Sequence, residues 1–417
     1  DNTKFRSTSQ ELQLLGNSDF MSGSMEYVLG GFYYQDKATL DILGGAIGSG
    51  PLILQNLTGI ANKSYAAFGE VTVRPGSDEK LSITVGARYS HDKRTATRIN
   101  ERSFSFAALG GFTAENCGFF VLTFAALGQT CSPTGAVVGA SYSGKFNNFS
   151  PKVSLDYQAT EDMLLYGLVS RGFKSGGFNG EAQSAAETTT PFKPEKVKSV
   201  ELGLKSTLAD GKATLNLAIF DNKITDLQQA VFTAQGSAAS NIRNVGKATT
   251  RGLELEFNAR PAADLRWQAS YGYLDARFDE LMELGVNVAS NRAVVHAPRH
   301  TLNLMGEVTI ARTRYGVWRA LADYSYTGAH YLYPYQLTLT DPTQQLASNT
   351  RIGGAGFLNL RLSLAEIPLG SAATAPSQPK MMDTLCILQG WGGGLGGREV
   401  TAPSPLTLPR PLPPRPH

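Results

Sequence analysis

Apolar and polar residues alternate with a period of two along most of the chain. Leu81, Ile83, Val85, Ala87 and Tyr89 fall on one side of an extended backbone; Ser82, Thr84, Gly86, Arg88 and Ser90 fall on the other. The same split separates Val153, Leu155 and Tyr157 from Ser154, Asp156 and Gln158, and Val200, Leu202 and Leu204 from Glu201, Gly203 and Lys205. It recurs at Leu253, Leu255 and Phe257 against Glu254, Glu256 and Asn258, and at Leu358 to Leu364 against Asn359, Arg361 and Ser363. The pattern predicts about thirteen strands, at roughly 4–15, 25–36, 63–74, 80–92, 148–159, 163–173, 195–207, 212–227, 248–259, 265–278, 299–310, 316–327 and 356–364. Alternation by itself suits a soluble sandwich as well as a membrane wall.

The connections separate the two. Short turns rich in Gly, Pro and Asp lie at Gly16 to Ser24, Pro75 to Asp78, Thr160 to Asp162, Ala209 to Gly211, Pro261 to Asp264 and Ala311 to Tyr315. Long loops fill every alternate connection, at 37–62, 93–147, 174–194, 228–247, 279–298 and 328–355. Strict segregation of short and long connections is the habit of outer-membrane barrels, with periplasmic turns on one side and extracellular loops on the other. Strands of about 10–14 residues exceed the globular norm of about five or six and reach across a bilayer at a tilt. The expected fold is therefore all-β: a transmembrane antiparallel up-and-down β-barrel. Tyr27, Tyr33, Tyr34, Tyr65, Tyr89, Tyr157, Tyr166, Trp267, Tyr271, Tyr273, Trp318, Tyr324 and Tyr326 fall within strands, many near the ends, where an interfacial girdle would sit.

Composition narrows the classes. Of 417 residues only 18% are charged, 42% are hydrophobic and 44 are glycine, which suits tightly turning strands with one face in lipid. A net charge of +3 without a basic run gives no case for nucleic acid. No run of about 18 apolar residues exists, so no transmembrane helix is expected. Asp1 to Lys4 lead straight into a strand pattern, as in a fragment lacking its true start. Cys117 and Cys131 share one long loop; in an oxidising compartment a disulfide between them would be worth about 3 kcal/mol, and the alternative is metal ligation by two lone thiols. Nine of the 20 prolines fall within the last 48 residues, so 370–417 is expected to be a disordered Pro/Gly-rich tail following a barrel region at 1–369.

No catalytic constellation emerges, and the chain is read as a non-enzyme without cofactor or resident metal. Gly172 to Gly176 contains a Lys-Ser pair but lacks phosphate-loop spacing and leads into no helix. His296 and His300 are four apart, but Pro298 excludes the helix that would align them.

Linked motifs then carry a family likeness. Phe149-Ser150-Pro151-Lys152-Val153 is followed by the glycine-rich crest Ser170-Arg171-Gly172-Phe173-Lys174-Ser175-Gly176-Gly177-Phe178-Asn179, and then by Pro191-Phe192-Lys193-Pro194-Glu195-Lys196. Val200 to Lys205, Asn244 to Ala248, Arg251 to Glu256 and Ala297 to His300 come next in order. The series resembles the barrel of TonB-dependent outer-membrane receptors over about 1–369. The resemblance implies a 22-stranded barrel in the outer membrane of a Gram-negative bacterium, filled by a plug domain. It implies uptake of a scarce ligand, above all a ferric siderophore, driven by the TonB–ExbB–ExbD energy-coupling complex acting through the plug, which is not recognisable here. Outer-membrane lipid is the implied surrounding. Cobalamin or oligosaccharide uptake by the same architecture, a passive porin-like channel, and a soluble sandwich or adhesin are the alternatives. In the family ligand contacts come from the outer mouth. The candidates there are Arg171, Phe173, Lys174, Phe178, Asn179, Arg243, Asn244, Arg251 and Arg277; cations among them would favour an anionic ferric chelate. Their structural alternative is to shape the crest and to pair with Glu254, Glu256 or Asp279. Where the family would continue with further strands after Leu364, the tail departs from it, which predicts a frameshifted or misassembled end near Gly370.

Overall fold

The computed structural model describes residues 2–46, 52–105, 140–179, 190–232, 240–283, 285–334, 337, 350–368 and 381–389. Its strands are β1 (Asn2–Phe20), β2 (Gly23–Ala46), β3 (Leu52–Arg74), β4 (Leu81–Ser105), β5 (Ala140–Thr160), β6 (Met163–Lys174), β7 (Glu195–Leu208), β8 (Ala213–Phe232), β9 (Ser240–Ala262) and β10 (Leu265–Glu283). The short β11 (Val286–Asn287) and a 3-10 turn (Ala289–Asn291) lead to β12 (His300–Thr313) and β13 (Gly316–Thr327). A two-residue pair, β14 (His330–Tyr331) with β15 (Arg351–Ile352), precedes β16 (Ala355–Pro368) and β17 (Met381–Gln389).

All thirteen predicted strands are present. Each main strand pairs antiparallel with its sequence neighbour, in the order β1 to β10, β12, β13, β16, β17. Among the described residues β1 pairs only with β2, and β17 only with β16, so the sheet is an open arc of barrel wall.

Two expectations are corrected. Much of three predicted loops is ladder: β2 and β3 stay paired up to Ala46 and Leu52, β4 and β5 up to Arg98 and Ala140, β8 and β9 up to Phe232 and Ser240. Alternation lapses there, but main-chain pairing needs no apolar side chain, so the ladder runs on past the end of the sequence pattern. The second correction is β17, which lies within the stretch read as disordered. Between Pro379 and Pro403 the sequence holds no proline, and Met381 to Gln389 can pair with Arg361 to Pro368. The rest of 370–417, and Cys117 and Cys131, lie outside the described residues.

The hairpin between β1 and β2 also differs. Its turn is Met21–Ser22, both in the left-handed region (φ 47° and 59°), the conformation of the two-residue turns that match strand twist. Gly16 remains in the ladder, opposite Tyr27.

The two faces of the sheet differ in a way a soluble fold would not tolerate. Val85, Val153, Leu155, Val169, Leu202, Ile219 and Leu360 share one face and are each 48–62% exposed. Of the ten buried apolar residues among those described, seven are alanine, so no second layer covers that face. An uncovered apolar surface of this extent requires an apolar solvent, which removes the soluble-sandwich reading. The opposite face is hydrogen-bonded across strands, as between Thr72 and Thr84 (2.9 Å), Lys152 and Glu70 (3.0 Å), Gln268 and Asn258 (3.0 Å), and Asn359 and Asp323 (2.9 Å). This is the inner, water-facing side.

Aromatic side chains mark the edges of the outer band. Tyr33 and Tyr65 approach to 5.2 Å at the long-loop side, level with the neighbouring Tyr89–Phe149 pair; Tyr157 and Trp267 stand at the short-turn side. Tyr34 and Tyr166 do not belong to the girdle. They point inward, donating their hydroxyls to Asp36 (2.9 Å) and Glu201 (2.8 Å).

Candidate ligand-contact surface at the barrel mouth

Strand β6 climbs to the long-loop end and leaves the ladder after Lys174, opposite Glu195 of β7. The chain then folds inward, and glycine makes the fold available. A Cβ at Gly176 would lie 2.5 Å from the Phe192 carbonyl oxygen and 2.5 Å from a ring carbon of Phe146. Gly177 exchanges two main-chain hydrogen bonds with Phe192, at 3.2 and 2.9 Å. Phe146 stands on the same face of β5 as Asn148, Ser150 and Lys152, which is the inner one. Phe178 completes the packing, edge-on to Tyr142 of that face at 5.5 Å. The crest therefore lies over the inner wall.

Side-chain amides from the tips of β8 and β9 hold it there. Gln228 Nε2 donates to the carbonyls of Ser175 (3.0 Å) and Lys193 (2.9 Å), while the Gln228 N–H donates to Glu195 Oε2 (2.7 Å). Register shifts beside Leu227 free Gln228 for this. Asn244 donates to the Lys193 and Asp226 carbonyls (2.9 and 2.8 Å) and accepts from the Lys193 N–H (2.6 Å). Asn179 bonds both main-chain groups of Ile242, donating at 3.1 Å and accepting at 2.7 Å. Each bond contributes about 0.5–1.5 kcal/mol, and together they fix a chain without a ladder of its own.

The predicted mouth residues thus divide. Phe178, Asn179 and Asn244 are in the crest assembly, as packing and clamps. Lys174 and Arg243 are exposed at its border, and so is Lys193, which the sequence reading passed over; none forms an ion pair with a described carboxylate. Ser175 Oγ, Gln228 Oε1 and Asn241 Oδ1 are buried here without a hydrogen-bond partner among the described residues. Such groups are costly unless something polar meets them. The surface can offer a ligand cations at the rim, amide and hydroxyl groups beneath, and the aromatic edge of Phe178 and Tyr142.

Arg171, Phe173, Arg251 and Arg277 are elsewhere. By register they share the face of Val169 and Leu253, on the outside of the wall. Arg251 lies 3.7 Å from Asp221, and Arg277 lies 3.3 Å from Asp279 and 3.9 Å from Asp275. The Thr249 hydroxyl, followed by Arg277, holds the Asp279 carboxyl below its ordinary range. Of the carboxylates expected as partners, Asp279 is used; Glu254 and Glu256 face inward. Gln228, Phe146, Phe192 and Glu195 were not found from sequence, because their contacts join positions far apart along the chain.

Other features do not compete with this surface. A cavity of about 620 Å³ lies at the short-turn end, bordered by Lys212, Arg260, Arg266 and Glu307. His296 faces His330, with ring centroids 6.3 Å apart, whereas His300 bonds the Tyr271 hydroxyl at 2.9 Å. Among the described residues no three His, Cys, Asp or Glu side chains converge as a metal site would require.

Comparison with known proteins places this arrangement. The family model for the TonB dependent receptor-like β-barrel matches residues 1–367. The metal-pseudopaline receptor CntO of Pseudomonas aeruginosa is 30% identical over 157 residues, 38% of this chain and 20% of that protein. The pesticin receptor of Yersinia pestis is 29% identical over 180 residues, 43% of this chain and 25% of its own length. Among solved structures, the ferric yersiniabactin uptake receptor FyuA from Yersinia pestis superposes with a TM-score of 0.58 at 21% identity, covering 87% of this chain and 47% of that one. The siderophore receptor PiuA from Acinetobacter baumannii gives 0.59 at 12% identity, with 87% and 50% covered. At these identities the structural likeness is one of fold, and the chain spans about half the length of those two structures.

Proposed function

This chain belongs to the TonB-dependent receptor family through its β-barrel, and we propose that it forms the wall and ligand mouth of a receptor that imports an anionic ferric chelate, a siderophore complex, across the outer membrane. The observation that carries the proposal is the clamped, inward crest bordered by Lys174, Lys193 and Arg243. A rigid crest presents these cations without paying to order them on each encounter. At a mouth partly walled from water they attract a negatively charged complex more strongly than surface charges do. Of the buried unpartnered atoms, the Ser175 hydroxyl would donate to an oxygen of the chelate, whereas the amide oxygens of Gln228 and Asn241 accept and would meet a donor group on it. The chain's own role is recognition and containment, not catalysis. Transport would take its energy from the TonB–ExbB–ExbD complex through the plug that such barrels enclose. The names of the CntO and FyuA relatives support a metal chelate over cobalamin or an oligosaccharide.

Equilibrium binding to a panel of chelates tests the reading. Anionic ferric catecholates or carboxylates are expected to bind, and the triple change Lys174→Gln, Lys193→Gln, Arg243→Gln to weaken them about tenfold or more, in line with loss of charge-assisted bonds. Binding of cobalamin or an oligosaccharide with no affinity for any ferric or other metal chelate would refute it.

A further inference from the structure

At the long-loop end two connections meet at a pair of histidines that the ligand surface does not use. His296 belongs to the connection at 288–299, which follows β11, and His330 opens β14 in the connection after β13. The His296 N–H donates to the Tyr331 carbonyl at 2.9 Å, so the two main chains lie side by side. The rings face each other with centroids 6.3 Å apart and planes inclined at 44°. His296 is exposed and His330 half-buried.

Both rings are held in place with a nitrogen to spare. His330 Nδ1 lies 3.1 Å from the Gly328 carbonyl oxygen. A carbonyl only accepts, so Nδ1 carries the proton and Nε2 keeps its lone pair. Metal-binding imidazoles are oriented in this way, by a hydrogen bond from the other ring nitrogen to a carbonyl or carboxylate. The His296 ring forms no hydrogen bond with a described residue, and its backbone is in the left-handed region (φ 51°). A non-glycine residue stays there only where its surroundings fix it. Here the Tyr331 carbonyl holds one side. On the other, Arg292 forks onto both oxygens of Glu283, with Nε at 2.9 Å from Oε1, and the Leu337 N–H bonds the Asn291 carbonyl at 3.0 Å.

The spacing selects an ion. A metal bonded to one nitrogen of each ring at about 2.0–2.1 Å lies roughly 3.2 Å from each centroid. A separation of 6.3 Å therefore places the two nitrogens on nearly opposite sides of the metal. Two trans imidazoles suit the tetragonal coordination of Cu²⁺, which also binds nitrogen ligands more tightly than the other first-row divalent ions. A tetrahedral Zn²⁺ would need the centroids roughly 1 Å closer, against the main-chain bond that spaces them. Nearby cations do not oppose the ion. Arg292 is paired with Glu283, Arg299 lies 3.8 Å from Asp275, and Arg351 stands opposite Tyr331, out of register with His330. His300 is not part of the pair: it stands in the ladder opposite Tyr273 and bonds the Tyr271 hydroxyl at 2.9 Å. We propose that His296 and His330 form an exchangeable Cu²⁺ site that fastens the connection at 288–299 to β14. Among the described residues no further His, Cys, Asp or Glu joins the pair, so water completes the coordination sphere and the ion can leave.

The test uses the full chain in detergent, without siderophore and with its free cysteines alkylated, titrated with Cu²⁺ against a competing chelator. Ligation is read by electron paramagnetic resonance. Cu²⁺ is expected to bind with two nitrogens in its coordination plane, and more tightly than Zn²⁺. His296→Asn keeps a residue that tolerates the left-handed backbone, and His330→Asn keeps an amide donor. Each is expected to weaken binding by about a hundredfold or more, beyond the roughly ten- to hundredfold that loss of an outer-shell partner costs. His300→Asn is expected to bind as the parent does. Hydrogen exchange supplies the second readout. At about a hundred times its dissociation constant, Cu²⁺ is expected to slow exchange of the His296 amide by up to about a hundredfold in the parent, and in neither of the two variants that lack a ring of the pair. Ligation through a single nitrogen, parental affinity in either of those variants, equal loss in His300→Asn, Zn²⁺ binding as tightly as Cu²⁺, or bound Cu²⁺ without slowed exchange would each overturn the proposal. The outcome is independent of which chelate the mouth accepts.

Discussion

Replacing Leu202 by arginine is expected to cost about 2–4 kcal/mol of folding stability in a bilayer. Leu202 is 62% exposed on the outer face and sits between Gly167 and Ile219 on the neighbouring strands. A charge there must be dragged to the interface or left in hydrocarbon. The matched inward change, Asn216→Lys, falls within reach of Glu256, to which Asn216 already donates at 3.4 Å, and is expected to cost less than about 1 kcal/mol. Urea titration of each variant folded into lipid vesicles measures the difference. Equal costs at the two positions would mean that the faces have been assigned wrongly.

Gly176→Val is expected to have the largest effect on ligand binding. The Phe192 carbonyl that its Cβ would strike is a partner in the Gly177 bridge, so relief requires the crest to lift from Phe146. Overpacking of this kind costs about 1–3 kcal/mol. If the inward crest is the binding-competent form, affinity falls by roughly five- to hundredfold, while the wall folds as before. Gly172→Val provides the control within the same motif, because a Cβ there meets nothing within 4 Å. Binding by the Gly176 variant at parental affinity, with its crest shown by limited proteolysis to be displaced, would remove the crest from the ligand surface.

The wall was legible in the sequence because lipid imposes a rule on every second residue. Val153, Leu155 and Tyr157 have to be apolar, and their intervening partners do not. The rule stops at the headgroups, which is why the tall hairpins above Lys37 and Lys93 read as loops. Within the wall, parity also assigns each side chain to the inner or the outer face. Tyr34 adjoins Tyr33, so only one of them can join the girdle, and Arg171 and Arg251 alternate with Val169 and Leu253, which already places them outside. The crest's clamps were not legible. Gln228 reaches Ser175 and Lys193, and Asn244 reaches Lys193, across sequence separations that no local pattern encodes. The pairing of β17 was obscured by the prolines on either side of it, although the segment itself has none.

The central claim is that the ligand is held at the clamped crest over the mouth. Fluorescence quenching by a bound ferric chelate tests it most directly, with a fluorophore on Lys193→Cys at the crest or on Lys212→Cys in the opposite turn. Both side chains are exposed. The account predicts saturable quenching at position 193 that follows the binding isotherm, and little at 212. Quenching at 212 alone, or equal quenching at both, would contradict it.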